Sequence, residues 1–287
     1  MRALKKFAFL VLALAAFALT GCDKLPTAPS YEPKTVLFGY LYVGEAITNQ
    51  NALLLTRTRP VDQPYDPAEA AVSGAIVLLQ ADGASTVDTL RMVAPGRYAN
   101  PAVTIAAHTT YHLVVKNGAE TITATTTTPS ALTIAGGPRE TPAVMKYSAV
   151  PDSFPMFVSG PGPDEIMYVD AYCLEPWQTA EMVFSPSDDP HPNDYDAYGG
   201  DNGEPRHIMA YFHLGDLDPA PGGGWRLGFY GDLMAFYGEY RVGVFTIDQN
   251  AYEYLYRDHP ELHGGVVGGI GVFGSACRRQ WHIRTVR

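Results

Sequence analysis

The segment that decides the fold runs from Thr110 to Thr127 and reads TYHLVVKNGAETITATTT. In its first half Tyr111, Leu113 and Val115 alternate with other residues, so these apolar side chains share one face of an extended strand. Asn117-Gly118 follows and predicts a type I′ hairpin turn, because both residues tolerate positive φ. The segment therefore predicts two antiparallel strands joined by a tight turn.

The same pattern extends along residues 36–130. Short β-branched or aromatic runs recur about every twelve residues with Gly, Pro or Asn between them, a spacing typical of all-β domains. We therefore predict a small β-sandwich over residues 36–130. Its predicted strands are Val36–Val43, Leu53–Arg57, Gly74–Gln80, Val87–Val93, Thr110–Lys116 and Glu120–Thr127.

A second β-rich domain is predicted over residues 131–287. Pro129 and the cluster Gly136-Gly137-Pro138 mark the boundary. One short helix is expected, with Asp248 as its N-cap and Pro260 as its stop. The predicted strands of this domain are Glu165–Cys173, His207–His213, Trp225–Tyr230, Tyr240–Ile247 and Ile270–Ala276. The expected fold class is thus mainly β.

The N-terminal residues predict an address in the cell envelope. Positive charges at the start are followed by the apolar run FAFLVLALAAFAL, which suits a signal peptide and is too short to span a bilayer. The sequence LTGC, ending at Cys22, then resembles a bacterial lipobox. This resemblance implies cleavage of residues 1–21 and acylation of Cys22, which would anchor the chain to a lipid bilayer. Residues 22–35 carry three prolines and are interpreted as a tether. The outer membrane is favoured, with the leaflet left open.

Charge narrows the classes of partner. Loss of residues 1–21 removes three positive charges and takes the formal net charge from −10 to −13. Such an acidic chain is unsuited to nucleic acid, because phosphate binding requires clustered Lys and Arg.

Two resemblances bear on family. The stretches Val72–Leu79, Gly96–Tyr98 and Tyr111–Val115 resemble the immunoglobulin-like or transthyretin-like modules of secreted bacterial proteins, which implies that kind of sandwich for residues 36–130. The lipobox, the tether, this sandwich and the terminal stretch Gly268–Gly274 (GGIGVFG) together resemble a Bacteroidetes-type family of lipoproteins known as a domain of unknown function. That resemblance implies an envelope role beside outer-membrane uptake machinery, and no activity.

Candidate sites are few. Cys173 and Cys277 are predicted either to form a disulfide in an oxidising compartment or to be two buried thiols. An acidic loop is a candidate calcium site, since calcium accepts many oxygen ligands, although a solvated loop is the favoured interpretation. The acidic residues are Asp188, Asp189, Asp194, Asp196, Asp201 and Glu204. The stretch Gly269–Gly274 matches G-x-G-x-x-G, but only thirteen residues follow it, too few for a dinucleotide-binding unit. No cofactor is therefore expected.

No catalytic constellation is evident, so we expect a protein that is not an enzyme. The leading hypothesis is a non-catalytic envelope lipoprotein that binds or braces another envelope component, such as outer-membrane uptake machinery. The alternative is a glycan-binding accessory lipoprotein for nutrient uptake, because Tyr and Trp stack on sugar rings. Trp177, Trp225 and Trp281 all lie in the second region. Exposed, coplanar aromatic side chains in a groove would favour the alternative.

Overall fold

A computed structural model describes residues 31–136, 143–146, 153–176, 181, 207–221, 223–230 and 236–287. The predicted signal peptide, Cys22 and the acidic residues 188–204 lie outside the described residues. The described chain is mainly β, as the sequence predicts.

The first part of the chain contains eight strands and one short helix. Strands Leu53–Arg57 and Glu120–Thr127 have the predicted bounds, and the remaining predicted strands differ by one or two residues at an end. The elements are β1 Thr35–Tyr42, β2 Ala46–Ile47, β3 Leu53–Arg57, α1 Pro67–Ala70, β4 Ile76–Ala81, β5 Asp88–Ala94, β6 Arg97–Thr104, β7 Thr110–Asn117 and β8 Glu120–Thr127.

The remainder of the chain contributes ten described strands and one longer helix. The predicted helix is present, and the predicted strand over 270–276 proves to be the start of a much longer one. The elements are β9 Thr133–Gly136, β10 Ala143–Lys146, β11 Ser153–Ser159, β12 Ile166–Cys173, β13 His207–His213, β14 Asp218–Pro219, β15 Trp225–Tyr230, β16 Gly238–Ile247, α2 Gln249–Tyr256, β17 Val266–Val267 and β18 Ile270–Val286. Two 3₁₀ turns, Leu214–Asp216 and Pro260–Leu262, complete the list.

The predicted hairpin forms from β7 and β8, but its turn is not the type I′ turn predicted at Asn117-Gly118. Asn117 is the last residue of β7 and pairs with Glu120, so the two turn residues are Gly118 and Ala119. Gly118 has φ +60°, whereas Ala119 is not among the residues of positive φ. This pattern is that of a type II′ turn, which needs positive φ only at its first central residue.

Fourteen of the described strands form one curled sheet. Its main path is β13-β12-β16-β18-β1-β3-β6-β5-β4-β7-β8-β17, and a separate sheet has the order β14-β15-β11-β9. Strand β17 pairs with β8, and β18 pairs in parallel with β1, yet only Gly268 and Gly269 separate β17 from β18. The two ends of the path from β1 to β17 are thereby brought together, so the sheet encloses a core.

Two large apolar clusters share residues of β18. The first contains Leu37, Leu55, Leu79 and Leu113 among its buried members, and β18 adds Phe273 to it. The second is built from β12, β16 and neighbouring segments, and β18 adds Cys277 and Ile283. The predicted division into domains at residue 130 stays a prediction, but β18 belongs to both packing units.

The glycine-rich stretch that begins β18 has a packing role. Gly271 has φ +114°, and a Cβ there would overlap the main-chain oxygen of Leu37 in β1. A Cβ on Gly274 would lie 3.0 Å from the Tyr40 ring and 3.1 Å from the Ala251 Cβ. Because this stretch is the start of a strand that continues to Val286, it lacks the helix that a dinucleotide loop precedes.

Helix α2 begins where the sequence predicts. The Asp248 side chain accepts a hydrogen bond from the Ala251 main-chain nitrogen at 3.0 Å, and the helix ends at Tyr256, before Pro260. Asp248 also accepts from the Ser275 nitrogen at 3.0 Å and from the Thr126 hydroxyl. One carboxylate therefore ties the helix to β18 and β8.

Of the two alternatives predicted for Cys173 and Cys277, the structure contains the second, two buried thiols. Cys173 lies opposite Tyr240, which lies opposite Ile283. Cys277 is therefore two strands away from Cys173 and six residues before Ile283 in β18. Strand spacings of about 4.8 Å and rises of about 3.4 Å per residue put the two Cα atoms roughly 20 Å apart, far beyond disulfide reach.

Candidate ligand-binding site

The first strand carries a row of outward-facing aromatic residues. In β1, Leu37 and Leu41 are fully buried in the first core, as the alternation of an extended strand allows. The intervening residues Phe38, Tyr40 and Tyr42 project from the opposite face, and we call these three the aromatic ridge. Exposed faces of strands are ordinarily polar, so an aromatic row there needs a reason.

The rings of the aromatic ridge are in mutual contact. Phe38 and Tyr40 meet edge to face with ring centres 5.6 Å apart. Tyr40 and Tyr42 are stacked, with centres 6.5 Å apart and planes inclined by only 28°. Phe38 is also supported by the Tyr254 ring of α2, at 6.0 Å. The ridge is thus a supported platform whose outermost ring, Phe38, is 42 % exposed.

An apolar depression of about 230 Å³ lies on one side of the aromatic ridge. Tyr42 is paired with Ala276 of β18, and the small side chain at this position leaves space between the ridge and the strands beyond. Tyr168 of β12 and Phe245 of β16 form the far wall, with ring centres 5.4 Å apart. Besides the ridge, the lining residues are Tyr168, Phe245, Ile247, Leu255 and Ala276.

A polar depression of about 260 Å³ lies against the same ridge. Leu54 of β3 is paired both with Phe38 of β1 and with Arg97 of β6, so these three lie in line across the sheet. Besides the ridge, the lining residues are Gly39, Gln50, Asn51, Ala52, Leu54, Arg97 and Arg278. The ridge thus has an apolar side and a polar, cationic side.

Arg278 is held rigidly beside the ridge. Its Nε and Nη2 donate to the two carboxylate oxygens of Glu45, each at 2.7 Å. Its guanidinium carbon lies 3.9 Å from the centre of the Tyr42 ring, within the range of a cation–π contact. The hydrogen bonds to Glu45 raise the pKa of Arg278, so it is cationic at every physiological pH. Glu45 and Arg278 therefore fix the orientation of Tyr42.

The ridge phenols are neutral hydrogen-bonding groups. Burial raises the pKa of Tyr40, and neighbouring Tyr42 raises it further. Burial also raises the pKa of Tyr42, although Arg278 acts in the opposite direction. Burial likewise raises the pKa of Tyr168 in the apolar depression. Each phenol therefore retains its proton and can donate one hydrogen bond to a ligand oxygen.

A cluster of tyrosines continues the aromatic surface along α2. Tyr252 and Tyr256 lie one turn apart, and the Tyr211 ring of β13 contacts both, at 5.2 and 3.8 Å between ring centres. Burial raises the pKa of Tyr256 to about 12. Tyr211 is 45 % exposed and Leu255 is 39 % exposed, so the surface around α2 remains open to a ligand.

The two described tryptophans lie away from this site. Trp225 and Trp281 pack against the second apolar cluster, and Trp177 lies outside the described residues. The aromatic ridge was not predicted from the sequence, although a sequence pattern for it exists. The pattern Phe38-x-Tyr40-x-Tyr42, alternating with Leu37 and Leu41, indicates a strand whose outward side is aromatic.

One cluster combines Ser, His and Glu without the geometry of a hydrolase. The Ser130 hydroxyl donates a hydrogen bond to the Glu165 carboxylate. The Nε2 atom of His108 lies 2.9 Å from the Ser130 hydroxyl oxygen. In a serine hydrolase the hydroxyl must give its proton to histidine, and the carboxylate contacts histidine instead of serine. Ser130 is also buried. Glu165 accepts from the Ser130 and Gly162 nitrogens as well, at 3.0 and 3.1 Å, so the cluster braces two loops.

The described residues contain neither a metal-ligand cluster nor a membrane-spanning helix. Within those ranges, no three His, Cys, Asp or Glu side chains converge as metal ligands. The six carboxylates of the candidate calcium site lie outside them, so that prediction stands as it was. No described helix has the length and apolar character needed to cross a bilayer.

The solved structures that this chain resembles include the following three, all of them distant. A DUF3823 family protein from Parabacteroides merdae is 12 % identical, with 76 % of this chain and 92 % of that chain covered and a TM-score of 0.21. Domains 4 and 5 of the S-layer protein SbsC are 13 % identical, with 90 % and 98 % covered and a TM-score of 0.20. The FN1–FN3 domains of chicken CNTN1 are 9 % identical, with 88 % and 67 % covered and a TM-score of 0.19.

TM-scores near 0.2 are too low to carry an argument about fold or function. No family model matches the sequence. No curated protein matches it either.

Proposed function

We propose that this protein is a non-catalytic, lipid-anchored envelope protein that binds a glycan on the aromatic ridge. The observation that carries the proposal is the outward row of Phe38, Tyr40 and Tyr42, with a depression on each side. Small-molecule sites are typically concave and mostly apolar, with a few polar groups that set orientation. The ridge and its two depressions have this composition.

Sugar chemistry suits the ridge. One face of a pyranose ring presents C–H groups that pack on the electron-rich face of an aromatic ring, while its hydroxyls project from the edge. Tyr40 and Tyr42 supply nearly parallel rings, and their phenols supply donors at the rim. The envelope address rests on the sequence, through the apolar N-terminal run and the lipobox at Cys22.

A glycan array probed with the full chain in detergent tests this function. The wild-type protein should bind at least one class of glycan, and Tyr40→Ala should weaken that binding by at least about tenfold, because it removes the centre of the platform. Tyr40→Phe keeps the ring and should retain most of the affinity. Tyr65→Ala removes an exposed tyrosine outside the site and serves as the matched control.

Thermal unfolding of each variant separates loss of binding from loss of fold. If the folded wild-type protein leaves the array blank, glycan binding is ruled out as the function of this site. If Tyr65→Ala weakens binding as much as Tyr40→Ala does, the ridge is the wrong location.

A protein partner in the envelope is the second candidate. Phe38, Tyr211 and Leu255 are each about two-fifths exposed around α2, and aromatic residues are enriched at protein interfaces. Crosslinking in cells followed by mass spectrometry should then recover a component of the uptake machinery. Recovery of no envelope protein above background would count against this candidate.

A further inference from the structure

We infer that the glycan bound on the aromatic ridge is acidic, and that Arg97 binds a uronic acid carboxylate in the polar depression. This inference rests on the proposed function and specifies the class of sugar. Its starting point is the unequal charge on the two sides of the ridge.

Arg97 is the uncompensated cation of the polar depression. Its Nη2 donates to the Asn49 main-chain oxygen at 2.7 Å, which fixes the guanidinium at the rim. Within the described part of the chain, no carboxylate forms an ion pair with Arg97. A guanidinium has five N–H donors in a planar fork, so further donors remain for a ligand.

Arg278 differs from Arg97 because its guanidinium already forms an ion pair with Glu45. The Glu45 carboxylate accepts from both Nε and Nη2 of Arg278, which leaves this pair close to neutral. Arg278 therefore orients Tyr42, and the net positive charge of the depression is that of Arg97.

The apolar depression on the other side of the ridge offers no charged partner to an anion. Its lining residues are all apolar or aromatic, namely the three ridge residues with Tyr168, Phe245, Ile247, Leu255 and Ala276. An anionic group is therefore disfavoured near the apolar depression and favoured on the Arg97 side. A sugar ring stacked on Tyr40 would place its carboxylate toward Arg97.

The recognition chemistry follows from the groups present. Arg and a carboxylate form paired, charge-assisted hydrogen bonds that are stronger than bonds between neutral groups. The chain as a whole has a formal net charge of −10, which repels acidic polymers. Binding of an acidic glycan therefore depends on this local cation, which makes the inference sensitive to one substitution.

Calorimetric titration of the full chain in detergent provides the test. The probes are oligosaccharides of galacturonate, glucuronate and mannuronate, each compared with the same oligosaccharide carrying methyl-esterified carboxyls. At least one acid should bind about tenfold or more tightly than its ester, because esterification removes the charge-assisted bonds and leaves the stacking face intact. Arg97→Met should bring this ratio close to one without weakening the binding of the ester.

Arg91→Met is the matched control, because Arg91 is an exposed arginine of the neighbouring strand β5 and does not line the polar depression. It should leave the ratio unchanged. Equal binding of acid and ester by the wild-type protein would overturn the inference, as would a ratio that survives Arg97→Met. Neither result would affect the proposal of a sugar site. A folded protein that binds neither these probes nor any neutral glycan would overturn both.

Discussion

Replacement of Asp248 by Ala should destabilise the protein by about 2–4 kcal/mol. Loss of an N-cap costs about 1 kcal/mol, and the buried Ser275 N–H left without an acceptor adds roughly 1–3 kcal/mol. The Thr126 hydroxyl adds little, because it lies 3.0 Å from the Ser275 hydroxyl and can donate there instead. Asp248→Asn keeps an acceptor oxygen at the cap, so it should cost less than about 1 kcal/mol.

Urea unfolding followed by tryptophan fluorescence measures the free energy of unfolding of the Asp248→Ala and Asp248→Asn variants. The pH dependence offers an independent check, since burial raises the pKa of Asp248 despite opposing hydrogen bonds from Thr126 and Ser275. A carboxyl whose pKa is raised in the folded state stabilises that state fully when the pH is below its unfolded-state pKa of about 3.9. This contribution is lost as the pH rises through the folded-state pKa. The wild-type protein should therefore lose stability relative to Asp248→Asn as the pH rises from below 4. Equal losses for the Ala and Asn variants would refute the argument.

Three further predictions concern other parts of the chain. Gly271→Ala should prevent stable folding, because the added Cβ would overlap main-chain atoms of β1. Gly118→Ala, in an open turn, should lower the free energy of unfolding by only about 1 kcal/mol, and thermal unfolding of the two variants tests this difference. Cys173 and Cys277 should react with a thiol reagent only after unfolding, and reductant should leave the melting temperature unchanged; a Cys173–Cys277 peptide in a non-reducing digest would contradict this. If residues 188–204 bind calcium, millimolar calcium should raise the melting temperature relative to EDTA, and no shift would retire that site.

The sequence predicts strands well where alternation and turn residues agree. Strands β3 and β8 match their predicted bounds for this reason. Strand β6 was missed because Asn100 and Pro101 interrupt its pattern, although it pairs with three other strands. The end of β18 was missed because Arg278, Arg279 and Gln280 look like a polar stop. Pairing with β16 carries the strand through them.

The candidate site is harder to predict, because it depends on pairing between distant segments. The Phe38-x-Tyr40-x-Tyr42 alternation is visible in one strand, but its neighbours are not. Parallel pairing of β1 with β18 joins residues more than two hundred positions apart, and nothing local specifies that register. From the sequence alone, the tryptophans of the second region were therefore the more obvious candidates for an aromatic platform.

The contribution of β18 to both cores bears on when the protein can fold. A growing chain that lacks residues 270–286 has no partner strand for this edge of β1 and lacks Phe273 and Ile283 from the two clusters. Contacts of such long sequence separation form slowly, because the intervening chain must first be closed into a loop. Native packing is thus delayed until residues 270–286 have been synthesised. For the proposed envelope address this delay is useful, because a nascent chain without a finished core can still be threaded through a translocation channel.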